Sequence, residues 1–260
     1  MVKDSLRTTP LLHAVVASVK KGDIVLDIGT GLGLLAIAAA KAGAKEVIAC
    51  DCDQEALLEA KQNAVKERME KKICFVKSLS FDLTLPRKAD LLICETVGSF
   101  AFDENILATV AHAKQRLLKR GGRIIPESLE LWGVPIERYP KLITPAEIAL
   151  VKRDACLAKP KQLARIEFKR QCPTSLHIKE NFRLRKDGTL RAFALWPKVT
   201  WMKGHTTDAS PFFKPTHWKQ GILPLKRRNV KKGESVQLTL IIRPHPSQPQ
   251  LMTERLSKEL

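Results

Sequence analysis

The sequence predicts an α/β fold: a doubly wound Rossmann-like sheet over residues 1–125, then an antiparallel β-barrel-like domain over residues 126–260. Two observations predict it. Up to Ile125, short apolar runs of strand length alternate with helical patterns, as in a parallel sheet covered by crossover helices. Beyond that point Pro126, Pro135 and Pro140 punctuate short β-like pieces, and the later segments read as antiparallel strands joined by loops.

The elements follow in order. Asp23–Ile28 is an apolar strand, and Leu34–Ala42 is an alanine-rich helix that Gly43 can close in the left-handed conformation. Glu46–Cys50 is the next strand. Gln54–Lys66 places Ala56, Leu57, Ala60 and Ala64 at helical spacing. Ile73–Val76 and Ala89–Cys94 are strands. Asn105–Leu118 is a helix with Ile106, Leu107, Val110, Ala113 and Leu117 on one face, stopped by Gly121-Gly122 before a strand at Arg123–Ile125. In the second half Thr189–Leu195, Val199–Met202, Gly221–Leu225 and Ser235–Ile242 read as strands. Residues 141–165 form a shortened helical arm, with helical character around Pro145–Leu157.

Composition narrows the function. The chain has 260 residues, 44% hydrophobic, enough for a sizeable core, and no apolar run of membrane-spanning length or secretory signal pattern is visible. Six cysteines include no CxxC pair, so no four-ligand zinc set can be named and no metal is expected; a reducing compartment, the cytoplasm, fits free thiols. The net charge is +18, unevenly spread: residues 1–125 hold 19 Lys and Arg against 15 Asp and Glu, and residues 126–260 hold 26 against 12. Such a basic half favours polyanions, so an RNA- or ribosome-associated partner is one expectation and an ordinary solvated basic surface the other. Residues 225–232 (LKRRNVKK) are the densest basic run, read as an exposed hairpin tip or a nucleic-acid patch.

The most specific stretch is Val25–Gly33 (VLDIGTGLG): a buried strand, a glycine-rich turn, then the apolar start of a helix. The glycines fall as G-x-G-x-G. A dinucleotide fingerprint would place its third glycine at position 34, which is Leu34. Asp51 ends the next apolar strand, where a carboxylate can hold a ribose diol. These features point to S-adenosylmethionine rather than NAD. Glu95 follows the strand ending at Cys94, and Glu104 lies nine residues later, so a loop that folds back can set both carboxylates on one cation. A planar guanidinium suits such a pair. On spacing alone, Glu104 equally favours the positive end of the next helix.

Six segments together resemble the protein arginine N-methyltransferase family in its own order. They are Met1–Arg7 (MVKDSLR), the Val25–Gly33 turn, Val47–Asp51, the Cys94–Glu104 double-glutamate loop, Leu117–Glu127 (LLKRGGRIIPE) and Thr216–Gln220 (THWKQ). The resemblance implies that Arg7 holds the methionine carboxylate of S-adenosylmethionine. Asp27, Gly29, Gly31 and Gly33 shape the cofactor cradle, Asp51 binds the ribose and Ser80 faces the adenine. It further implies that Glu95 and Glu104 clamp the substrate guanidinium. Asp4 and His217 form a pair whose charged imidazole is favoured and can pass on a proton, and Trp218 stands at the substrate. Direct displacement at the sulfonium methyl needs no metal. The chain also departs from the family. No tyrosine-bearing helix is expected ahead of Met1, and the sole tyrosine is Tyr139. Thr96 and Val97 replace the usual Trp and Met, and Phe81 stands where an acid commonly meets adenine. The arm is short, which leaves a homodimer open. Two other readings remain: a methyltransferase with another acceptor (a small amine, or a ribosomal or RNA-bound protein), and an inactive cofactor-binding scaffold.

Overall fold

The computed structural model describes residues 4–140, 148–170 and 172–244. The first half runs α1 (Ser5–Ser18), β1 (Ile24–Ile28), α2 (Leu34–Lys41), β2 (Glu46–Asp51), α3 (Gln54–Lys66), β3 (Ile73–Lys77), β4 (Ala89–Cys94), α4 (Ile106–Arg116) and β5 (Leu118–Ile125). Its five strands pair in the order β3-β2-β1-β4-β5, all parallel. β1 is buried along its whole length, as expected of a central strand covered on both faces. From β1 the chain winds outward to β2 and β3, then returns to β4 on the other side. That reversal opens a crevice at the carboxyl ends of β1 and β4, where ligands bind in such sheets. The Gly29–Gly33 turn leaves β1 at this crevice, and Glu95 leaves β4 beside it.

Helix α1 has no counterpart in the sequence expectation, because Pro10 lies six residues into it. Proline lacks the N–H that would bond the Leu6 carbonyl four residues earlier. The Thr207 hydroxyl donates to that carbonyl instead, at 3.3 Å, and itself accepts from the Trp201 indole at 2.8 Å. The helix thus survives its proline by leaning on the second domain. Asp4 caps it, accepting from the Arg7 N–H at 3.4 Å, and Leu11, Ala14 and Val15 bury its inner face.

The second half holds β6 (Ser128–Ile136), β7 (Ile148–Ala149), β8 (Lys161–Glu167), β9 (Leu176–Arg183), β10 (Gly188–Met202), β11 (His205–Asp208), β12 (Gln220–Val230) and β13 (Ser235–Ile242). Six form an antiparallel sheet in which β7, β12, β10, β6 and β8 follow one another and β11 pairs β10, while β9 and β13 pair separately. Trp196, Trp201 and Phe193 fill the interior. Two expectations are corrected. The strands expected at Thr189–Leu195 and Val199–Met202 are one, β10, running through Pro197. The proline is tolerated because pairing with β12 ends at Leu195 and pairing with β11 begins at Lys198, so no partner strand needs its N–H on that edge. The helical character expected around Pro145–Leu157 is absent from its described part, where β7 and a 3-10 turn at Arg153–Ala155 stand instead. Ile148 and Ala149 are drawn into a ladder with Gly221 and Gln220, and the Gln220 side chain accepts from the Val151 N–H at 2.8 Å. Tertiary pairing thus outcompetes local propensity. Residues 141–147 of the expected arm lie outside the described residues.

Candidate active site

A cavity of about 690 Å³ opens at the crevice, lined by Arg7 and Thr8 of α1, Gly29–Leu32, Asp51, Ser80, Glu95 and Glu104. Its floor is the glycine turn, with Gly29 at φ +73° and Gly31 at +52°. A β-carbon at Gly29 would lie 2.9 Å from the Thr96 methyl, so this glycine lets the double-glutamate loop close on the turn. A β-carbon at Gly31 would meet nothing within 4 Å and would project into open space. The Gly31 N–H donates to Asp51 at 2.8 Å, fixing the carboxylate on the cavity wall.

Two residues expected at the cofactor support it from behind. Asp27 is fully buried and accepts from the Thr30 hydroxyl at 2.7 Å; burial pushes it up to about 7. Gly33 starts α2 and faces Ala60 of α3, 3.0 Å from where its β-carbon would stand. Neither lines the cavity.

The carboxylates of Glu95 and Glu104 share the cavity. Burial pushes Glu95 up to about 8, the negative charge of Glu104 adds to the rise, and the Arg7 guanidinium opposes it. Glu104 is exposed, though to the cavity it lines; enclosure pushes it up to about 7, Asp103 adds to the rise and Arg7 opposes it. Arg7 donates to Glu95 at 2.6 Å and is itself 5% exposed. A guanidinium thus already meets one acid of the pair.

The loop carrying both acids is braced from within and from the barrel. A β-carbon at Gly98 would fall 2.2 Å from an Asp103 carboxylate oxygen, and Asp103 accepts from the Phe100 N–H at 3.1 Å. The Trp218 indole donates to the Val97 carbonyl at 2.6 Å, and the Ser99 hydroxyl donates to the Trp218 carbonyl at 2.7 Å. Trp218 was expected to contact substrate. It is 3% exposed and does not line the cavity, because a buried indole N–H must find an acceptor and finds one under the loop. It positions Glu95 and Glu104 rather than touching what they hold.

Asp4 and His217 do pair: the His217 N–H and its Nδ1 both reach one Asp4 oxygen, at 2.8 and 2.9 Å. Neither lines the cavity. The expectation that the pair favours a charged imidazole is corrected, since burial outweighs the Asp4 hydrogen bond and lowers the His217 value. The Asp4 carboxylate is held below its ordinary range by His217, against the effect of burial. An ionised carboxylate only accepts, so the neutral ring carries its proton on Nδ1 and leaves Nε2 as a base.

Sequence reasoning missed Thr8. Its hydroxyl is buried on the cavity wall with no partner among the described residues. The MVKDSLR match ended one residue short of it, and the residue itself gives no other signal. The fit to S-adenosylmethionine rests on this orphaned hydroxyl, on the space beyond Gly31 and on Asp51 at the end of β2.

A parallel sheet of this order, a glycine turn at a cavity and an antiparallel domain appended after β5 define an S-adenosylmethionine-dependent methyltransferase. Residues 7–127 match the ribosomal protein L11 methyltransferase (PrmA) family, and residues 130–256 match the arginine methyltransferase oligomerization subdomain. An arginine N(omega)-methyltransferase of Streptomyces achromogenes subsp. streptozoticus is 30% identical over 268 residues, covering 92% of this chain and 74% of the relative. Protein arginine N-methyltransferase 1 of Dictyostelium discoideum is 28% identical over 271 residues, covering 92% and 79%. Among solved structures, protein arginine methyltransferase 10 of Arabidopsis thaliana aligns with a TM-score of 0.80 at 20% identity, covering 92% of this chain and 85% of that one. An enzyme–prozyme heterotetrameric complex of Trypanosoma brucei with AdoHcy aligns at 0.79 and 23%, with the same coverage. The chain belongs to the protein arginine N-methyltransferase family.

Proposed function

We propose that this chain methylates arginine side chains of proteins, with Glu95 and Glu104 holding the acceptor guanidinium. The observation that carries the reading is the pair itself: two acids lining one cavity, one of them already bonded to a guanidinium, that of Arg7. Two adjacent carboxylates are stable when ionised only with a cation between them.

Arg7, Thr8, Gly29, Gly31, Asp51 and Ser80 would hold S-adenosylmethionine, which supplies an electrophilic methyl group. Arg7 can serve two carboxylates through its planar fork, Glu95 on one edge and the amino-acid carboxylate of the cofactor on another. Glu95 and Glu104 accept N–H bonds from the substrate guanidinium and fix which terminal nitrogen faces the methyl. Positioning of this kind lowers a barrier by about 7–11 kcal/mol at best. The attacking nitrogen gives up one N–H proton as its bond to carbon forms. An acid whose pKa is raised to about 7, as Glu104's is, takes that proton more readily than an ordinary carboxylate. His217 and Asp4 hold α1 against the Thr216–Gln220 loop and serve a proton leaving the site rather than the acceptor directly. Six free thiols support a reducing compartment, and we place the reaction in the cytoplasm.

The test is label transfer from tritiated S-adenosylmethionine to an arginine-containing peptide, with the modified residue located by mass spectrometry. Glu95→Gln should cut kcat/KM by about 10²-fold or more, since truncating one partner of a buried charge pair costs about 2–5 kcal/mol, while cofactor affinity stays within a few-fold. Label found only on non-arginine sites, or full activity in Glu95→Gln, rejects the reading. The name of the Streptomyces relative favours a second acceptor, arginine itself. A kcat/KM for free arginine above that for the peptide would select it.

A further inference from the structure

The far end of the barrel carries a concentration of positive charge that methyl transfer does not use. Residues 183–191 and 226–232 together hold nine Lys and Arg against a single acid, Asp187. The fold brings these two stretches side by side. Leu190 of β10 pairs Arg228 of β12 and Ala192 pairs Pro224, so Leu225, Lys226 and Arg227 bulge outward opposite Arg191. The Leu184 N–H bonds the Glu234 carbonyl and the Gly233 N–H bonds the Leu184 carbonyl, setting Arg183 and Arg185 beside the turn that follows β12.

The local acids are already committed, Glu234 to Arg228 and Asp187 to Lys231. Arg183, Arg185, Arg191, Lys226, Arg227 and Lys232 are exposed, and none of their side chains has an ion pair or hydrogen bond among the described residues. Six uncompensated cations on one surface repel each other and weaken the fold, a cost that a polyanion relieves. No exposed large apolar side chain lies within these stretches, which argues against insertion into lipid and against stacking on bases. Four of the six are arginines, whose forked donors match phosphate oxygens, and most stand on paired strands rather than on a free tail. A rigid array of this kind suits a stiff polyanion with evenly spaced charge.

Distance separates this surface from the acceptor site. The Thr216–Gln220 loop leads directly into β12, and Lys226–Val230 lie six to ten residues further along that strand, roughly 20–33 Å at 3.3 Å per residue. The cavity, in contrast, is lined by Asp51, Asp53, Glu95 and Glu104, with Arg7 as the one cation among the described residues that line it. We propose that the barrel end formed by 183–191 and 226–232 is a binding surface for the phosphate backbone of nucleic acid, separate from the acceptor pocket. It makes no use of the methyltransferase reading and stands or falls without it.

Filter binding of the full chain to labelled single-stranded RNA and to duplex DNA, across salt, tests it. Log affinity should fall linearly with log salt, by about 0.7 per phosphate contact for a single strand and 0.9 for duplex DNA. Arg191→Gln/Lys226→Gln/Arg227→Gln should weaken binding by about 10-fold or more at 0.1 M salt and reduce the single-strand slope by about 2. The control Lys45→Gln/Lys61→Gln/Lys66→Gln removes the same charge from the exposed surface of the first domain and should stay within about 2-fold. Tighter binding to RNA or to DNA in the wild type identifies the nucleic acid, and either supports the proposal. Equal loss in both triple variants, a flat salt response, or tighter binding to polyglutamate or anionic vesicles than to either oligonucleotide overturns it. At 0.15 M salt, methylation of a short arginine peptide should be unchanged in both variants, which separates loss of this surface from misfolding.

Discussion

Glu95 and Glu104 sit in surroundings that resist their charge, and this fixes how the enzyme should respond to pH. Burial raises one to about 8 and the other to about 7, and each is an acid, so below these values the neutral form prevails. A guanidinium needs the ionised form. The kcat/KM for an arginine peptide should therefore rise as pH passes from 6.5 to 8.5 and level off above, with apparent values belonging to the pair rather than to either residue. The negative charge of Glu104 is one cause of the Glu95 rise, so Glu104→Gln should move the remaining titration to lower pH as well as reduce activity. A pH–rate profile of both proteins checks this, and an unchanged midpoint in the variant would break the coupling argument. At the other wall, Gly31→Val would fill the space beyond the turn and force a side chain onto φ +52°. Left-handed backbone costs an ordinary residue about 1–2 kcal/mol, and the added bulk should raise the cofactor Kd by at least 10-fold in calorimetry.

At the scale of elements, the site is held together by contacts that cross between the two halves of the chain. Helix α1 delivers Arg7 and Thr8 to the cavity yet depends on Thr207 of β11 for the carbonyl that Pro10 leaves without its helical partner. Thr207→Val should strand both the Leu6 carbonyl and the Trp201 N–H, at about 1–3 kcal/mol for a buried group left unsatisfied. The measurable result is a lower Tm together with weaker cofactor binding, since α1 carries part of the wall. Trp218→Phe removes the donor to Val97 and should lower kcat more than cofactor affinity, because it loosens the loop that carries Glu95 and Glu104. These same contacts mark where the sequence was legible. The parallel sheet, the glycine turn, Asp51 and the paired acids lie in short stretches whose patterning is local. Helix α1 was hidden because the carbonyl its proline leaves unpaired, that of Leu6, is satisfied by a residue 201 positions further on. The helix expected near Pro145–Leu157 gave way to β7 for the same kind of reason, a ladder with β12 that no local window contains. Trp218 was legible as a motif residue but not as a brace, since its motif does not say which way the ring turns.

Over the whole molecule, charge is sorted by distance from the chemistry. Acids gather at the cavity, and the β12 cations of the barrel end stand roughly 20–33 Å along that strand from the Thr216–Gln220 loop. That separation decides how a net charge of +18 can coexist with a positively charged substrate. At 0.01 M salt the Debye length is about 30 Å, so an incoming arginine peptide feels the barrel end and is repelled. At 0.15 M it is about 8 Å, and only the nearby acids of the cavity act on the peptide. The kcat/KM for a cationic peptide should therefore rise between these two salt concentrations, whereas binding of nucleic acid falls throughout the range. Opposite signs alone do not locate the charge, because a uniformly basic surface would also repel peptide and attract nucleic acid; the local variant does. In the Arg191→Gln/Lys226→Gln/Arg227→Gln variant the low-salt penalty on the peptide should shrink, with the value at 0.15 M unchanged. A peptide rate that falls steadily with salt in the wild type would mean that the charges at the barrel end do not reach the acceptor site even unscreened.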